Sequence, residues 1–204
     1  MPSLPIELDN KLREIDSFRR DLTIETQLKN QQVTFFTTWG LFSPRNIDDG
    51  TRLLLDHLDI SPDENIIDLG CGYGPIGITL AKIAHQGNTL MLDKDFVAVE
   101  YSQRNIQHNQ LSNCKAMLSN GLSAISEHHH YSLLVSNIPA KVGNEMLYIY
   151  LADALKCVRP GGKVVVVTIN GLRNFIKRSF NEMFGNYKKV KQGKNYTISS
   201  AILP

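Results

Sequence analysis

The sequence predicts a doubly wound α/β domain whose seven-stranded sheet is mostly parallel and ends in an antiparallel hairpin. Short apolar runs alternate with segments of helical periodicity, which is typical of parallel strands covered by helices. A glycine-rich turn follows the first of these runs, and two short strands flank a polar turn near the C-terminus. With 204 residues, the chain is long enough for one sizeable core.

Residues 1–32 are predicted to be a helical extension, and residues 33–204 the main domain. Apolar residues recur among charges over residues 6–20, which indicates an amphipathic helix that we expect to pack on the domain. Residues 23–38 alternate loosely between apolar and polar types, so they are predicted to form a strand or a hairpin.

A polar loop precedes the first predicted helix of the domain, at 52–58, and Asp49 or Thr51 can cap that helix. Beyond the glycine turn, strands and helices alternate. The predicted strands are 88–92, 114–118, 131–136 and 163–169, and the predicted helices are 96–109, 145–157 and 172–183. Residues 159–162 read as a turn, and strands 187–190 and 196–203 as the terminal hairpin.

The stretch from Ile66 to Gly77 reads as a buried strand, a tight turn and the start of a helix. Its alternating glycines allow positive φ angles and a close approach of the backbone to a ligand. Pro75 suits the first helical position, where a missing N–H group has no cost. The following helix would point its free N–H groups into the crevice.

Two cofactors fit such a turn. Residues 72–77 match the dinucleotide-binding fingerprint, with Asp93 as the acid about 20 residues further on. The spacing Asp68-x-Gly70-x-Gly72-x-Gly74 instead resembles motif I of methyltransferases that use S-adenosylmethionine (SAM), where no pyrophosphate is bound. A turn without any ligand is the third explanation, although it requires fewer glycines.

Polar residues also follow the other predicted strands. Asp93 can accept hydrogen bonds from a ribose diol, Asn120 lies where an adenine contact is expected, and Asn137 ends the fourth strand. Each has a structural explanation as well: Asp93 as a helix cap, and the two asparagines as turn residues. Their joint placement at consecutive strand ends favours a ligand site.

Composition limits the class of protein. No apolar run approaches 18 residues and the N-terminus lacks the pattern of a signal peptide, so a cytoplasmic protein without membrane spans is expected. Cys71, Cys114 and Cys157 lack paired spacing and are predicted to be reduced thiols. His128-His129-His130 has no second ligand cluster, so a solvated loop is favoured over a metal site.

The charge is distributed unevenly along the chain. Residues 156–204 contain ten Lys or Arg and one acid, a net charge of +9, whereas the whole chain has a net charge of +2. This segment could be a phosphate-binding face or the solvated side of a helix and a hairpin. The sequence leaves both explanations open.

Several motifs spread over residues 33–203 point to one family. They are Gly40-Leu41-Phe42-Ser43, Asp49-Gly50-Thr51, Asp68-Leu69-Gly70-Cys71-Gly72-Tyr73-Gly74, Asp93, Ser136-Asn137-x-Pro139, Gly162-Lys163 and Phe184-Gly185-Asn186. Together they resemble the small-domain group of class I SAM-dependent methyltransferases, most closely the single-domain relatives of ribosomal RNA guanine-N2 methyltransferases. The resemblance implies a Rossmann-like fold and SAM as the cofactor.

The resemblance also implies roles for individual residues. The implied cofactor-binding residues are Phe42, Ser43, Asp68, Gly70, Cys71, Gly72, Gly74, Pro75, Asp93, Lys94, Asn120, Gly121 and Asn137. The implied catalytic residues are Asn137, Ile138 and Pro139, since the family uses Asn-Pro-Pro followed by an aromatic residue. There the Asn oxygen and the next carbonyl orient the substrate amine.

The catalytic motif departs from the family pattern. This chain has Asn137-Ile138-Pro139-Ala140, which keeps both acceptors but loses the first proline and the aromatic face for stacking a base. Phe36, Trp39 or Phe42 could replace that face. Lys141 and Arg173 could meet substrate phosphates, or they could be solvated charges.

The preferred function is therefore SAM-dependent N-methylation of a nucleobase amine, guanine N2 of ribosomal RNA in particular. Three alternatives stay open: a methyltransferase of a small molecule or protein side chain, a SAM-binding module without catalysis, and a nicotinamide-dependent oxidoreductase. RNA is the expected partner, without a membrane or a metal. Its recognition is expected from the N-terminal segment, the basic C-terminal quarter, or a partner subunit or second copy.

Overall fold

The computed structural model describes residues 6–126, 130–140 and 142–204. The helices are α1 (Ile6–Ser17), α2 (Asp49–Asp56), α3 (Pro75–Ile83), α4 (Phe96–His108), α5 (Asn144–Cys157) and α6 (Arg173–Phe184). The strands are β1 (Leu22–Leu28), β2 (Gln31–Thr37), β3 (Ile66–Leu69), β4 (Thr89–Asp93), β5 (Cys114–Leu118), β6 (Tyr131–Asn137), β7 (Val158–Ile169), β8 (Lys188–Gln192) and β9 (Tyr196–Ile202).

Seven strands form one sheet in the order β5-β4-β3-β6-β7-β9-β8. Strands β3 to β7 pair in parallel, and β9 pairs antiparallel with both β7 and β8. The predicted seven-stranded α/β fold with a terminal antiparallel hairpin is thereby confirmed. The chain order reverses between β3 and β6, so a crevice opens at the carboxyl ends of these two strands.

Helices cover both faces of the sheet, and successive residues of β3 show why. Ile66 packs in a core with the helices α2 to α4, whereas Ile67 packs in a second core with α5 and α6. Both isoleucines are fully buried. A parallel strand that is buried on both faces carries apolar residues at successive positions, as Ile66 and Ile67 do, and the buried Asp68 is the exception in β3.

The N-terminal segment forms a separate two-stranded sheet from β1 and β2. Its turn residues Lys29 and Asn30 have φ angles of +47° and +63°, as the tight turn of a hairpin requires. The Asn105 side chain of α4 docks this hairpin, because it accepts from the Phe36 N–H at 2.7 Å and donates to the Phe36 carbonyl at 2.9 Å. The first 32 residues therefore contain a strand as well as a helix.

Helix α1 forms where the apolar periodicity predicts it, but the expected packing is not observed. No residue of α1 is buried, and Ile6 is 82% exposed. Phe18, just beyond the helix, meets Trp39 edge-to-face at 5.7 Å between ring centroids. The apolar periodicity predicted the helix correctly. It did not predict burial, because an apolar face is buried only where another surface packs against it.

Two local predictions were wrong. Asp48, rather than Asp49 or Thr51, caps α2: its Oδ2 accepts from the Thr51 N–H at 3.1 Å, so the helix begins at Asp49. Residues 159–162 belong to β7 and not to a free turn. Gly161 donates to the Leu203 carbonyl at 2.8 Å, and Leu203 donates to the Gly162 carbonyl at 2.9 Å, which extends the strand pairing.

Three further findings concern the described ranges only. No helix in them combines the length and the apolar composition needed to cross a membrane. They contain no cluster of metal-ligating side chains, and Cys71, Cys114 and Cys157 are free thiols. The predicted loop at His128 and His129 lies outside the described residues.

Candidate functional site

A cavity of about 350 Å³ occupies the crevice at the carboxyl ends of the central strands. This volume lies in the range of small-molecule sites. Most of the predicted site residues line it: Phe42, Ser43, Gly70, Cys71, Gly72, Pro75, Asp93, Lys94, Gly121, Asn137, Ile138 and Pro139. The structure therefore brings four strand ends and the glycine turn together around one space.

The glycine turn forms one wall of the cavity. Gly70 and Gly72 have φ angles of +75° and +58°, and a Cβ atom added at either would meet nothing within 4 Å. The backbone there borders open space that a side chain would fill, which fits a ligand in close contact. Gly74 differs: its added Cβ would lie 2.8 Å from Ile78 Cδ1, so it serves helix packing and lies outside the cavity lining.

Asp93 links the glycine turn to β4. Its Oδ2 accepts from the Gly72 N–H at 2.9 Å, and its Oδ1 accepts from the Asp95 N–H at 3.0 Å. The cap of α4 is Asp95, which accepts from the Val97 N–H, so Asp93 is not the helix cap. Each carboxylate oxygen has two lone pairs, and Asp93 can therefore accept further hydrogen bonds from a ligand.

Asp68 supports the glycine turn from a position outside the cavity lining. It is fully buried, and its Oδ2 accepts from the Gly77 N–H of α3 at 2.8 Å. Its Oδ1 has no hydrogen-bond partner within the described residues. Burial raises its pKa to about 7 although the Gly77 hydrogen bond opposes that shift, and the charge of Asp93 adds to the increase.

Cys71 forms a neutral part of the wall. Burial raises its thiol pKa, and the charge of Asp68 raises it further. The Sγ atom lies 3.6 Å from Ser102 Oγ. A protonated, buried thiol of this kind is a packing surface and not a nucleophile.

Tyr150 of α5 closes the side of the cavity near β5, a residue that the sequence reasoning missed. A Cβ atom at Gly121 would lie 2.6 Å from the Tyr150 ring, so glycine is required for this close approach. Burial and the charge of Asp93 raise the pKa of Tyr150. Asn120 is exposed and lies outside the lining, whereas its neighbours Ser119 and Gly121 line the cavity.

The loop before α2 also lines the cavity, through Phe42, Ser43 and Asp48. The buried Tyr73 holds it, since its hydroxyl donates to the Ser43 carbonyl at 3.3 Å and to the Asn46 carbonyl at 3.5 Å. Burial raises the pKa of Tyr73, which keeps the hydroxyl protonated. Phe42 lines the cavity and is 66% exposed, so its ring is accessible at the mouth.

Asn137 stands at the end of β6 and is held by its amide nitrogen. The Nδ2 atom donates to Asp48 Oδ2 at 2.8 Å and to Thr51 Oγ1 at 3.0 Å. Within the described part of the chain, no donor contacts Asn137 Oδ1. Asp48 and Thr51 also line the cavity. The acceptor end of the Asn137 amide is therefore the one left for a ligand.

The next two residues are fixed by backbone hydrogen bonds. The Ile138 N–H donates to the Val167 carbonyl at 3.0 Å, which continues the pairing of β6 with β7. The Pro139 carbonyl accepts from the Val142 N–H at 3.2 Å. These bonds restrain the loop even though the first proline of the family motif is absent.

Two of the three predicted substrate residues, Phe36 and Arg173, lie outside the cavity lining. The Phe36 ring packs against Arg104 at 4.2 Å and His108 at 4.8 Å, away from the lining. Arg173 begins α6 and donates to Gln192 Oε1 at 3.0 Å, also outside the lining. Lys141 lies outside the described residues.

Comparison with known proteins identifies the family. Residues 32–200 match the methyltransferase small domain family. The uncharacterized protein YbxB of Bacillus subtilis is 29% identical over 178 residues, which cover 86% of this chain and 88% of YbxB. The ribosomal RNA large subunit methyltransferase G of Yersinia enterocolitica is 27% identical over 187 residues, 88% of this chain but 46% of that protein.

The fold has a close counterpart among solved structures. The Thermus thermophilus (T. Thermophilus) 16S rRNA N2 G1207 methyltransferase RsmC, in complex with AdoMet and guanosine, superposes with a TM-score of 0.81. It is 24% identical, and the match covers 90% of this chain and 51% of that one. This chain thus spans about half the length of RsmC and of the methyltransferase G relatives. The chain belongs to the methyltransferase small domain family and is a methyltransferase with S-adenosylmethionine as its cofactor.

Proposed function

We propose that this methyltransferase modifies the exocyclic amine of a nucleobase in RNA, with guanine N2 of ribosomal RNA as the preferred target. The observation that carries the proposal is the orientation of Asn137, whose amide oxygen is left free at the cavity. The names of two similar proteins support it, since one is a ribosomal RNA methyltransferase and the other a 16S rRNA N2 guanine methyltransferase.

The cavity divides into a cofactor side and a substrate side. Gly70, Gly72 and Asp93 would hold SAM, with the backbone of the turn in close contact and the carboxylate accepting from the ribose. Tyr150 would flank the adenine. When bound, the cofactor supplies an electrophilic methyl group on a sulfonium centre. Asn137 and Pro139 would face the substrate, and Phe42 and Ser43 also line the cavity.

The chemistry requires orientation of a poor nucleophile. The lone pair of an exocyclic amine is delocalised into the base ring, and positive charge develops on the nitrogen as the methyl group transfers. The Asn137 oxygen and the Ile138 carbonyl can accept the two amine hydrogens, which aims the lone pair and stabilises that charge. Fixed positions for both acceptors also reduce the entropy lost on reaching the transition state.

A basic surface at the far edge of the sheet supports RNA as the substrate. Lys188, Lys189 and Lys191 are exposed on β8, and no acid within the described residues forms a salt bridge with them. Arg173 and Lys189 both donate to Gln192 Oε1, at 3.0 and 3.3 Å. Strand β8 lies three strand spacings from β6, about 14 Å, so a backbone phosphate could bind there while a base occupies the cavity.

The test is transfer of labelled methyl groups from SAM to unmodified ribosomal RNA, followed by nucleoside analysis. We expect N2-methylguanosine, and we expect Asn137→Ala to lower transfer at least about 100-fold while binding of S-adenosylhomocysteine persists. A methylated adenosine or cytidine would retain the reaction class but contradict the choice of guanine. Cofactor binding without transfer to any RNA would contradict the proposal.

The basic surface has its own test. Reversing Lys188, Lys189 and Lys191 to Glu should raise the KM for RNA and reduce its dependence on salt, because fewer counterions are released. For a control matched in charge, the single reversal Lys189→Glu is compared with Lys82→Glu in the last turn of α3. Equal effects of both reversals would argue against a specific RNA surface.

A further inference from the structure

We infer that Asp48 is a positioning residue that determines which end of the Asn137 amide faces the substrate, and that Tyr196 holds Asp48 for this purpose. The inference rests on the proposed function only where methyl transfer is measured; the orientation of the Asn137 amide can be tested without it. It concerns residues from three distant segments: the loop before α2, the end of β6, and the terminal hairpin. Neither Asp48 nor Tyr196 belongs to the motif that contains Asn137.

The three side chains form one hydrogen-bonded chain. Asp48 Oδ2 accepts from Asn137 Nδ2 at 2.8 Å and from the Thr51 N–H at 3.1 Å. Asp48 Oδ1 accepts from the Tyr196 hydroxyl at 3.2 Å. Both carboxylate oxygens thus accept hydrogen bonds, so the carboxylate has a defined orientation.

An asparagine amide has two nearly isosteric ends with opposite hydrogen-bonding character. Thr51 Oγ1 can donate or accept, so it does not select one end. An ionised carboxylate can only accept, so Asp48 selects the Nδ2 end and turns Oδ1 towards the cavity. Without this selection, a rotated Asn137 would present donors to an amine that itself needs acceptors.

Gly50 leaves space for the ring of Tyr196, the third member of this hydrogen-bonded chain. A Cβ atom at this position would lie 3.0 Å from the Tyr196 ring and 2.9 Å from Asp48 Oδ2. The Tyr196 ring therefore packs directly against the backbone at the start of α2. The terminal hairpin is in this way coupled to the catalytic asparagine through one carboxylate.

Substitutions at position 48 can separate helix capping from positioning. Asp48→Ser keeps a good N-cap but is too short to reach Asn137. We expect it to lower kcat about 10- to 100-fold, the effect of losing a hydrogen bond to a charged group, while the KM for SAM changes little. Asp49→Ser is the matched control, because Asp49 is exposed and one residue away.

Asp48→Asn is the conservative rescue. Its amide oxygen can still accept from Asn137 while its NH2 group faces the Tyr196 hydroxyl, so we expect about tenfold recovery relative to Asp48→Ser. Adding Tyr196→Phe to Asp48→Asn removes the group that orients the new amide, and we expect the recovery to be lost. Tyr196→Phe alone is the control, because a purely structural role of Tyr196 would lower kcat by the same factor in the wild type and in Asp48→Asn.

A readout independent of catalysis is the side-chain amide of Asn137 in 15N-asparagine-labelled protein, assigned by its disappearance in Asn137→Ala. We expect slow hydrogen exchange in the wild type and in Asp49→Ser, and fast exchange in Asp48→Ser. Unchanged exchange in Asp48→Ser, or equal losses of kcat in both serine variants, would overturn the inference. If the wild type transfers no methyl group to RNA, the proposed function fails, and the exchange data still decide the role of Asp48.

Discussion

Asp68 should make the stability of this protein depend on pH in an unusual direction. Its pKa is raised from 3.8 to about 7 in the folded protein, chiefly by burial. Between these two values the folded state binds more protons than the unfolded state, so stability falls as pH rises. Above pH 7 the carboxylate is charged in both states, and the loss reaches its full size.

The magnitude follows from the shift. A rise of about three in the pKa lowers the free energy of unfolding by about 4 kcal/mol at high pH. About 2–3 kcal/mol of this loss accumulates between pH 5 and pH 8. Asp68→Asn removes the titration and can keep its oxygen on the Gly77 N–H. Its NH2 group would replace the unpartnered Oδ1 and cost about 1–3 kcal/mol at every pH. The variant should therefore have about the same stability as the wild type at pH 5 and be more stable at pH 8.

Urea unfolding at pH 5 and pH 8 measures this change. The stability difference between Asp68→Asn and the wild type should shift by about 2–3 kcal/mol in favour of the variant. Asp59→Asn, at an exposed position, should show no such shift. A difference for Asp68→Asn that is the same at both pH values, within about 0.5 kcal/mol, would refute a raised pKa at this buried carboxyl.

Two further predictions concern the glycine turn. Gly77→Ala would place its Cβ 2.3 Å from Met91 Sδ in the buried core, so despite the helix-favouring alanine we expect a loss of about 1–3 kcal/mol in urea unfolding, and a more stable variant would contradict this packing. Asp93→Asn should weaken S-adenosylhomocysteine binding about 10- to 100-fold in calorimetry and also lower the melting temperature, because its NH2 group must face one of the two backbone N–H groups from which Asp93 accepts; unchanged affinity would remove Asp93 from the cofactor site.

The sequence allowed the fold, the family and the cofactor to be predicted because their signals are local. Apolar runs and helical periodicity identify the strands and helices, and the glycine spacing after Ile66 marks the turn at the crevice. The sequence-based prediction failed where a local turn signal competes with strand pairing between residues far apart in the chain. Gly161 and Gly162 read as a turn, but hydrogen bonds with Leu203 draw them into β7.

Aromatic residues show a second limit of sequence reasoning. Phe36 was a candidate for stacking a base, yet Arg104 and His108 already pack against its ring. Trp39 likewise carries the Arg45 guanidinium 4.5 Å from its ring centroid. Tyr150, which does line the cavity, lies on a helix whose apolar pattern gave no reason to separate it from core residues. Composition identifies aromatic residues but not the surface that each one faces.

The altered motif at the catalytic loop affects two separable properties. Under the proposed function, Asn137 and Ile138 would orient the amine. Three contacts hold these residues: Asp48 on the side chain, the Val167 carbonyl on the backbone, and the turn closed at Pro139. The missing first proline therefore need not reduce kcat. Stacking of the base depends on an aromatic face, which the exposed Ala140 cannot provide and which is worth about 1–3 kcal/mol.

That second loss should appear in substrate affinity and not in the chemical step. Phe42 is the sequence-predicted aromatic residue that both lines the cavity and exposes its ring, so it is the candidate to replace the missing face. The basic surface on β8 would add affinity that does not depend on stacking. Under the proposed function, phosphate contacts and Phe42 would bind the nucleotide, and Asn137 would orient the amine of its base. The departure from the family motif would then change substrate binding, while the orienting acceptors stay in place.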